Sequence, residues 1–410
     1  MNLLKRRRDN MTTIAITADQ LSTPEVIANP YPSYHELRDQ TPLIHTLLPA
    51  GTISGIDEPV HAWALMRYDD VYNVLRDHES FSSRHRLVGK IAPALALMQD
   101  DPPRHTRFRR LVNKAFTLKR IETLTPWITS VTNELLDKIG TWETNIMESF
   151  AIPMPVMVIA RLLGIPGKDY MALKRWSDIF LAFSSITPEE RAKSNQELMA
   201  YFGQMAAARR SHGAEDLITA LVEAEFEGES LNDAEILGFC MLLLIAGNET
   251  TTNLIGNMLG ILTERPRLWQ QLREDRTLVD FVVEETLRYE SPFQRLSRQT
   301  TREVELSGVR IPEGSLVTTY YGAANRDPQA FPNPDEFRLD RDLRNHVAFG
   351  MGIHYCLGAP LARAEASITL NALLDRFPTL SRGTQPAIRQ TANFVVYGYQ
   401  QLPLNLRASN

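Results

Sequence analysis

The feature that most constrains the fold of this chain is one long apolar helix, predicted between Asn232 and Arg265. Its start is indicated by the stretch NDAE, in which Asn232 is an N-cap and Glu235 follows three residues later. Its end is indicated by Pro266, because proline does not continue a helix. At 1.5 Å per residue such a helix is roughly 50 Å long, which is enough to cross a whole domain.

The centre of this helix is polar. Residues 246–253 read AGNETTTN and place a glycine, a glutamate and three threonines in apolar surroundings. Polar groups there are costly unless they are partnered, so the stretch marks either a kink or a site. A kink explains Thr250, whose hydroxyl can bond the carbonyl of Ala246 four residues back, but it leaves the acid Glu249 unexplained.

Most of the remaining chain has apolar residues at the three- and four-residue spacing of helices. Examples are PSYHELRDQ, YDDVYNVLRDH, PWITSVTNELLDKI and DLITALVEAEF. Strand candidates are TTIAITA, AWALMRY at 62–68, VELSGVRI with SLVTTYYG, and NFVVYGY at 393–399. The mixture predicts a mainly α (α+β) protein with small β-sheets. No linker composition divides residues 1–410, so we expect one domain with a loosely ordered tail at 1–20.

The composition argues against several classes of protein. Hydrophobic residues make up 43% of the chain and charged residues 23%, as in globular proteins that bury a core. A net charge of −5 argues against nucleic acid as the main partner. The most apolar run, CMLLLIAG at 240–247, is too short to span a bilayer, and the basic N-terminus lacks a signal peptide's apolar stretch. Two cysteines far apart in sequence fit a reducing cytoplasm, so we expect a cytoplasmic protein. We expect no membrane binding, and a monomer is the default expectation.

The second cysteine lies in the glycine-rich stretch FGMGIHYCLG, residues 349–358. Cys240 has the apolar neighbours of an ordinary buried cysteine, whereas Cys356 lies between glycines and directly before a predicted helix. Backbone N–H groups at a helix start favour a thiolate, so a nucleophile and a metal ligand are both possible. Zinc requires three or four Cys or His ligands, and only His354 lies nearby. Haem iron needs just one axial protein ligand, which suits a single thiolate.

The stretch FGMGIHYCLG resembles the haem-binding loop of the cytochromes P450, the haem-thiolate monooxygenases, and four further motifs agree with that family in order over roughly residues 28–405. The resemblance implies one triangular, mostly helical domain that binds haem b. It makes Cys356 the iron ligand, places Phe349 beside it and directs His354 towards a haem propionate. Further haem contacts implied by the same resemblance are Ala246, Gly247, Gly350, Gly358 and Ala362.

A basic helix is predicted within DDPPRHTRFRRLVNKAFT, residues 100–117. At 100° per residue, His105 and Arg109 share one face with apolar residues. That face suits an anionic, otherwise apolar ligand, and the family pattern His-x-x-x-Arg makes both residues propionate ligands, with Arg298 as a third.

The opposite face of this helix is also basic. It carries Arg107, Arg110 and Lys114, and residues 104–120 contain seven Lys or Arg and no acid. In the family this helix borders the surface where an electron donor docks, so we expect an acidic ferredoxin or flavodoxin to be steered there. The sequence itself has no glycine-rich nucleotide fingerprint and no cysteine cluster for a fused redox domain.

Two further motifs acquire roles from the resemblance. Glu285 and Arg288 in EETLR match the family's buried Glu-x-x-Arg pair, completed by a later arginine that we take to be Arg341, and we expect a structural role. AGNET matches the oxygen-activation motif. There Gly247 leaves room for dioxygen, while the Thr250 hydroxyl and the Glu249 carboxyl supply protons.

We therefore expect a monooxygenase that inserts one oxygen atom of O2 into a hydrophobic small molecule. A peroxygenase that uses hydrogen peroxide, a non-catalytic haem sensor and a haem-thiolate isomerase are alternatives, and the Glu249–Thr250 pair disfavours all three. The predicted substrate pocket is apolar, but terpenoids, fatty acids, steroids, macrolides and aromatic compounds all remain open. By analogy it is lined by Leu87, Val88, Leu97, Phe180, Phe183, Leu243, Phe293, Leu296 and Val395.

Overall fold

The computed structural model describes residues 20–41, 43–48, 60–84, 97–139, 143–181 and 186–407. Fourteen α-helices lie within these ranges, joined by short 3-10 turns and one π-helical turn at Met147–Ala151. They are α1 Pro24–Ala28, α2 Tyr31–Gln40, α3 Tyr68–Arg76, α4 Arg104–Ala115, α5 Leu118–Asp137, α6 Pro153–Leu162, α7 Tyr170–Leu181, α8 Pro188–Ser211, α9 Leu217–Val222, α10 Asp233–Thr263, α11 Pro266–Glu274, α12 Val279–Tyr289, α13 Tyr321–Ala324 and α14 Ala359–Arg376.

The strands form one five-stranded sheet and several small ones. They are β1 Leu43–Leu48, β2 Val60–Leu65, β3 Phe81–Ser82, β4 Glu143–Asn145, β5 Glu225–Phe226, β6 Glu229–Ser230, β7 Arg295–Thr300, β8 Val304–Leu306, β9 Val309–Ile311, β10 Leu316–Tyr320, β11 Thr379–Arg382, β12 Ile388–Arg389, β13 Tyr399–Gln401 and β14 Pro403–Arg407. The large sheet has the order β1-β2-β10-β7-β3, in which only β2 and β10 are parallel. A three-stranded sheet has the order β11-β14-β4, and β5-β6, β8-β9 and β12-β13 are pairs. The predicted mainly α fold with small sheets is confirmed.

Helix α10 is the centre of the molecule, as the sequence predicts. The Asn232 side chain accepts from the Glu235 amide at 3.0 Å and the Glu235 carboxylate accepts from the Asn232 amide at 3.0 Å, which forms a capping box. Helices α6, α7, α8, α12 and α14 pack around it. By length and hydropathy α10 could span a membrane, but 67% of the relevant window is buried inside the protein, as in the core helix of a soluble protein.

Two predicted elements differ from the structure. In DLITALVEAEF the helix ends at Val222, and Glu225–Phe226 instead pairs with Glu229–Ser230. In NFVVYGY only Tyr399 lies in a strand. The carbonyl of Tyr397 accepts a hydrogen bond from the Asn257 side chain of α10 at 3.0 Å, so α10 satisfies backbone that the prediction placed in a strand ladder. The strand candidate TTIAITA lies outside the described residues.

Candidate functional site

The loop before α14 folds tightly around Cys356. The Cys356 amide donates to the carbonyl of Phe349 at 2.9 Å, which closes the loop. Gly350 and Gly352 have φ angles of 69° and 67°, in the left-handed region that favours glycine. A Cβ on Gly352 would also lie 2.7 Å from the carbonyl oxygen of Leu75, so glycine lets the loop approach α3.

The surroundings of the Cys356 sulfur affect the pKa of its thiol in opposite directions. Burial raises the pKa of the thiol, while the amides of Gly358 and Ala359 and the guanidinium of Arg109 act in the opposite direction without cancelling the effect of burial. The helix start therefore favours the thiolate, as expected from the sequence, but burial outweighs it. A coordinated metal ion deprotonates a thiol outright, so this buried sulfur fits a metal ligand better than a free nucleophile.

Four basic side chains lie together near this loop: His105, Arg109, Arg298 and His354. His105 is 2% exposed and neither of its ring nitrogens has a hydrogen-bond partner among the described residues. Its ring centroid lies 4.5 Å from that of His354, whose Nε2 is 2.9 Å from the Ser83 hydroxyl. Burial, reinforced by Arg298 and the neighbouring basic groups, lowers the pKa of His354 to about 2, so this imidazole is neutral.

Both guanidinium groups at the site lack a carboxylate partner among the described residues. Arg109 donates to the carbonyl of Tyr355 at 2.9 Å, and Arg298, which is 4% exposed, donates to the carbonyl of Ser297 at 3.0 Å. Burial lowers the pKa of both groups. Buried cations without counter-charges are costly, so this part of the site fits an anionic ligand. Haem, an apolar macrocycle with two carboxylates, matches these groups together with the nearby Cys356.

The polar centre of α10 has the predicted hydrogen bond. The Thr250 hydroxyl donates to the carbonyl of Ala246 at 2.6 Å, and the side of the helix at Ala246 is exposed although most of α10 is buried. Burial raises the pKa of Glu249, and the carboxylate of Asp178 adds to this effect while Lys174 opposes it. Glu249 therefore keeps a proton at a higher pH than an exposed glutamate does.

Gly247 is placed differently from what the sequence reasoning assumed. A Cβ at this position would lie 2.7 Å from Cδ1 and 3.2 Å from Cγ1 of Ile159 on α6. An added side chain would thus force Ile159 to shift, and sequence spacing alone did not reveal this packing contact. The predicted role of Gly247 in leaving room for dioxygen stays a prediction.

The predicted structural ion pairs are present. Glu285 and Arg288 are both fully buried and joined by two hydrogen bonds of 2.7 Å. Arg341 Nε lies 3.2 Å from Glu285 Oε1. The remaining Arg288 donors bond the carbonyls of Asn325 and Pro334 at 2.9 Å. Such a bidentate, fully satisfied pair fixes α12 to the segment before the cysteine loop.

The outward basic face of α4 is less free than predicted. Arg107 is bound to Glu229 at 2.6 Å and Glu235 at 2.8 Å, which compensates its charge, so its assignment as a docking cation stays a prediction that these ion pairs disfavour. The cause is the β5–β6 hairpin, which the sequence did not predict. Arg110 and Lys114 are exposed but lie over the ring of Phe226, at 5.4 and 4.9 Å from its centroid.

The predicted substrate-pocket residues fall into separate groups. Leu97 and Leu243 belong to the main core cluster, whereas Phe293 and Leu296 pack on a second cluster beside the large sheet. Val395 lies next to Phe293 and Leu296, because its carbonyl accepts a hydrogen bond from the amide of Gln294 at 2.7 Å. Leu87, Val88 and Phe183, and the side chain of Phe180, lie outside the described residues. Among haem-contact predictions, Ala362 is half-buried in α14, where its amide bonds the carbonyl of Gly358 at 2.9 Å.

Sequence reasoning missed a carboxylate beside the cysteine loop. Glu284 accepts from Arg363 Nε at 2.6 Å and Nη2 at 2.9 Å, and lies 3.0 Å from His346 Nε2. Burial alone would raise the pKa of Glu284, but hydrogen bonds from Arg363 and His346 outweigh it and hold the pKa at about 2. The first glutamate of EETLR was the only sequence signal for this contact.

Comparison with known proteins identifies the class of this fold and site. The family model for cytochrome P450 matches residues 141–398. The solved structure of CYP109Q5 from Chondromyces apiculatus is 39% identical, with a TM-score of 0.84 over 95% of this chain and 98% of that one. CYP109E1 from Bacillus megaterium, solved with testosterone, is 38% identical, with a TM-score of 0.81 over 93% and 100%. Cytochrome P450 monooxygenase PikC from Streptomyces venezuelae is 37% identical over 93% of this chain and 92% of its own.

The chain belongs to the cytochrome P450 family. It is a haem-binding monooxygenase with iron protoporphyrin IX as its cofactor, and the resemblance first seen in FGMGIHYCLG is confirmed. Enzymes of this family use O2 and electrons from a redox partner on hydrophobic substrates, which matches the coarse function expected from the sequence.

Proposed function

We propose that this protein hydroxylates or epoxidises a hydrophobic small molecule, with electrons from a ferredoxin or flavodoxin. The observation that carries the proposal is the convergence of Cys356 with the basic side chains of His105, Arg109 and Arg298. Within the described part of the chain, His105 has no hydrogen-bond partner and the two arginines bond backbone carbonyls but no carboxylate.

In this proposal the sulfur of Cys356 would bind the haem iron. Arg109, Arg298 and His105 would hold the propionates, and His354, fixed by Ser83, would lie beside them. Thiolate-ligated haem supplies the reduction and cleavage of dioxygen that the protein side chains alone do not provide.

The residues of α10 supply protons and exclude water. Thr250 is oriented by its bond to the carbonyl of Ala246, which leaves its oxygen able to accept and relay a proton. Glu249, whose pKa is raised by burial, holds the proton that Thr250 relays. We expect Thr250→Val and Glu249→Gln to lower the amount of product formed per NAD(P)H consumed more than they lower substrate binding.

A bulky, rigid, apolar compound is the proposed substrate. The described pocket candidates Leu97, Leu243, Phe293 and Leu296 carry no charge, and the similar CYP109E1 was solved with testosterone. Steroids are therefore the first compounds to titrate, and the measurement is the substrate-induced shift of the haem spin state. The same titration with fatty acids and with macrolides of similar polarity is the comparison.

The proposed electron donor is acidic and docks on the exposed basic face of α4. Arg110 and Lys114 are exposed cations on α4, whereas Arg107 is already paired and is left out of the docking surface. Reversing the charge of Arg110 and Lys114 together should raise the KM for a ferredoxin or flavodoxin and leave substrate binding unchanged. We also propose a cytoplasmic, monomeric enzyme; the low cysteine content supports the cytoplasm.

The first experiment is the difference spectrum of the reduced protein with carbon monoxide. A strongly red-shifted Soret band in the wild type, absent in Cys356→Ala, supports the proposal, whereas a histidine-like band in the wild type contradicts it. Turnover is then compared between two arms, NAD(P)H with ferredoxin and its reductase, and hydrogen peroxide alone. Product in the peroxide arm alone would identify a peroxygenase instead.

A further inference from the structure

The cysteine loop is fastened by a carboxylate that lies next to the structural ion pair. Glu284 and Glu285 are consecutive residues of α12, and Glu285 is fully buried against Arg288. Glu284, whose side chain is 24% exposed, instead binds Arg363 from α14 in a bidentate pair. The two carboxylates therefore fix different parts of the molecule.

Arg363 contacts the loop at two places, one on each side of the glycine turn that precedes Cys356. Its guanidinium carbon lies 4.5 Å from the ring centroid of Phe349, and its Nη1 donates to the Tyr355 hydroxyl at 3.3 Å. Phe349 is the residue whose carbonyl accepts from the Cys356 amide, and Tyr355 directly precedes Cys356. Movement of Arg363 would thus affect both ends of the glycine turn that leads to Cys356.

The same carboxylate also holds the start of the loop. His346 Nδ1 accepts from the Ala348 amide at 3.3 Å, so the proton is on Nε2, which donates to Glu284 at 3.0 Å. Glu284 is therefore the common partner of His346 before the glycine turn and of Arg363 after the cysteine. A bidentate, partly buried pair of this kind restricts orientation as well as position.

We propose that Glu284 and Arg363 form a positioning pair that fixes the loop presenting Cys356 and sets the charge around its sulfur. The inference rests on the proposed role of Cys356 as the iron ligand. In the native protein the Glu284 carboxylate compensates the Arg363 guanidinium. Without that carboxylate the guanidinium is an uncompensated positive charge near the sulfur, and the contacts with Phe349 and Tyr355 are no longer held in one orientation.

The test compares haem-loaded variants with a matched control. Glu284→Gln removes the compensating charge, whereas Arg363→Lys keeps a charge but loses the bidentate geometry. The control is Asp280→Asn, because Asp280 also joins α12 to α14, by a 2.7 Å bond to Ser367, one turn away from the loop. The measurements are the reduction potential and the rate at which the carbon monoxide complex changes from the thiolate-type to the thiol-type Soret band.

We expect Glu284→Gln to raise the reduction potential, since an uncompensated cation favours the added electron, and to accelerate the spectral conversion severalfold. Arg363→Lys should accelerate the conversion with a smaller change of potential, and Asp280→Asn should match the wild type in both. If Glu284→Gln does not incorporate haem, the conversion rate of Arg363→Lys alone tests the positioning role. If the haem-loaded variants of Glu284 and Arg363 convert at the same rate as Asp280→Asn, the positioning role is wrong, even if these variants have a lower melting temperature. A wild type without the thiolate-type band would refute the proposed function itself, and this inference with it.

Discussion

Replacing Gly247 by alanine separates the two reasons for a glycine in the centre of α10. In the structure an added Cβ lies 2.7 Å from Cδ1 and 3.2 Å from Cγ1 of Ile159, which is 2% exposed. If packing against Ile159 is the main constraint, shortening that side chain should make alanine acceptable. If room for dioxygen is the main constraint, shortening Ile159 should restore stability without restoring turnover.

The magnitude follows from two opposing effects. Alanine in a helix interior is favoured over glycine by about 1 kcal/mol. Overpacking a buried contact costs about 1–3 kcal/mol, so Gly247→Ala should be destabilised by up to about 2 kcal/mol. Ile159→Val costs about 0.5–1.5 kcal/mol by itself but removes the atom at 2.7 Å. The double variant should therefore be more stable than the sum of the single variants predicts, by at least about 1 kcal/mol.

The assay is a double-mutant cycle on the haem-loaded protein, with unfolding in urea followed by circular dichroism. Gly203→Ala in α8 is the control, because no heavy atom lies within 4 Å of its added Cβ, and it should stabilise the protein by about 1 kcal/mol. Additivity of Gly247→Ala and Ile159→Val within about 0.5 kcal/mol would refute the packing argument. Product formed per NAD(P)H consumed by the double variant then tests the oxygen-space argument.

Three further predictions concern charged groups. Glu285→Gln leaves the buried cation of Arg288 uncompensated, and we expect a loss of about 3–5 kcal/mol in unfolding free energy and little haem in the purified protein. Arg298→Leu removes a buried cation that lacks a carboxylate partner among the described residues, so haem should pass faster to an acceptor protein while the haem-free form becomes no less stable in thermal unfolding. Because the pKa of Glu284 lies at about 2 instead of 4.5, its contribution of about 3 kcal/mol is present above pH 4.5 and lost as the pH falls towards 2. Between pH 5 and pH 3 the wild type should thus lose more stability than Glu284→Gln, and parallel losses would contradict this.

Features that depend on short stretches of sequence were predictable. The capping box at Asn232 and Glu235, the stop before Pro266 and the bond from Thr250 to Ala246 all involve residues within four positions of each other. Local chemistry decides such contacts, so the sequence contains the information for them. The loop around Cys356 was predictable for the same reason.

Features that depend on residues far apart in sequence were predictable only where the family resemblance supplied them, as for Glu285 and Arg341. Arg107 was assigned to a free face because its helical phase is opposite to His105, but Glu229 and Glu235 lie more than 120 positions away in sequence. Gly247 faces Ile159 across two helices, and no periodicity within α10 reveals that neighbour. The strand predicted at NFVVYGY failed similarly, because Asn257 of α10 binds its backbone.

The two glutamates of EETLR show why a motif can be recognised while half of its function is overlooked. In the structure Glu285 is fully buried, so loss of its charge lowers the stability of the folded protein. Its neighbour Glu284 remains partly exposed, and its partners belong to the loop that carries Cys356. A partly exposed pair contributes less to stability than a buried one, but it can still determine where a cation lies relative to a sulfur. Stability measurements will therefore detect Glu285 directly and Glu284 through its pH dependence, whereas only the loss of Glu284 should also change the potential and the spectrum of bound haem.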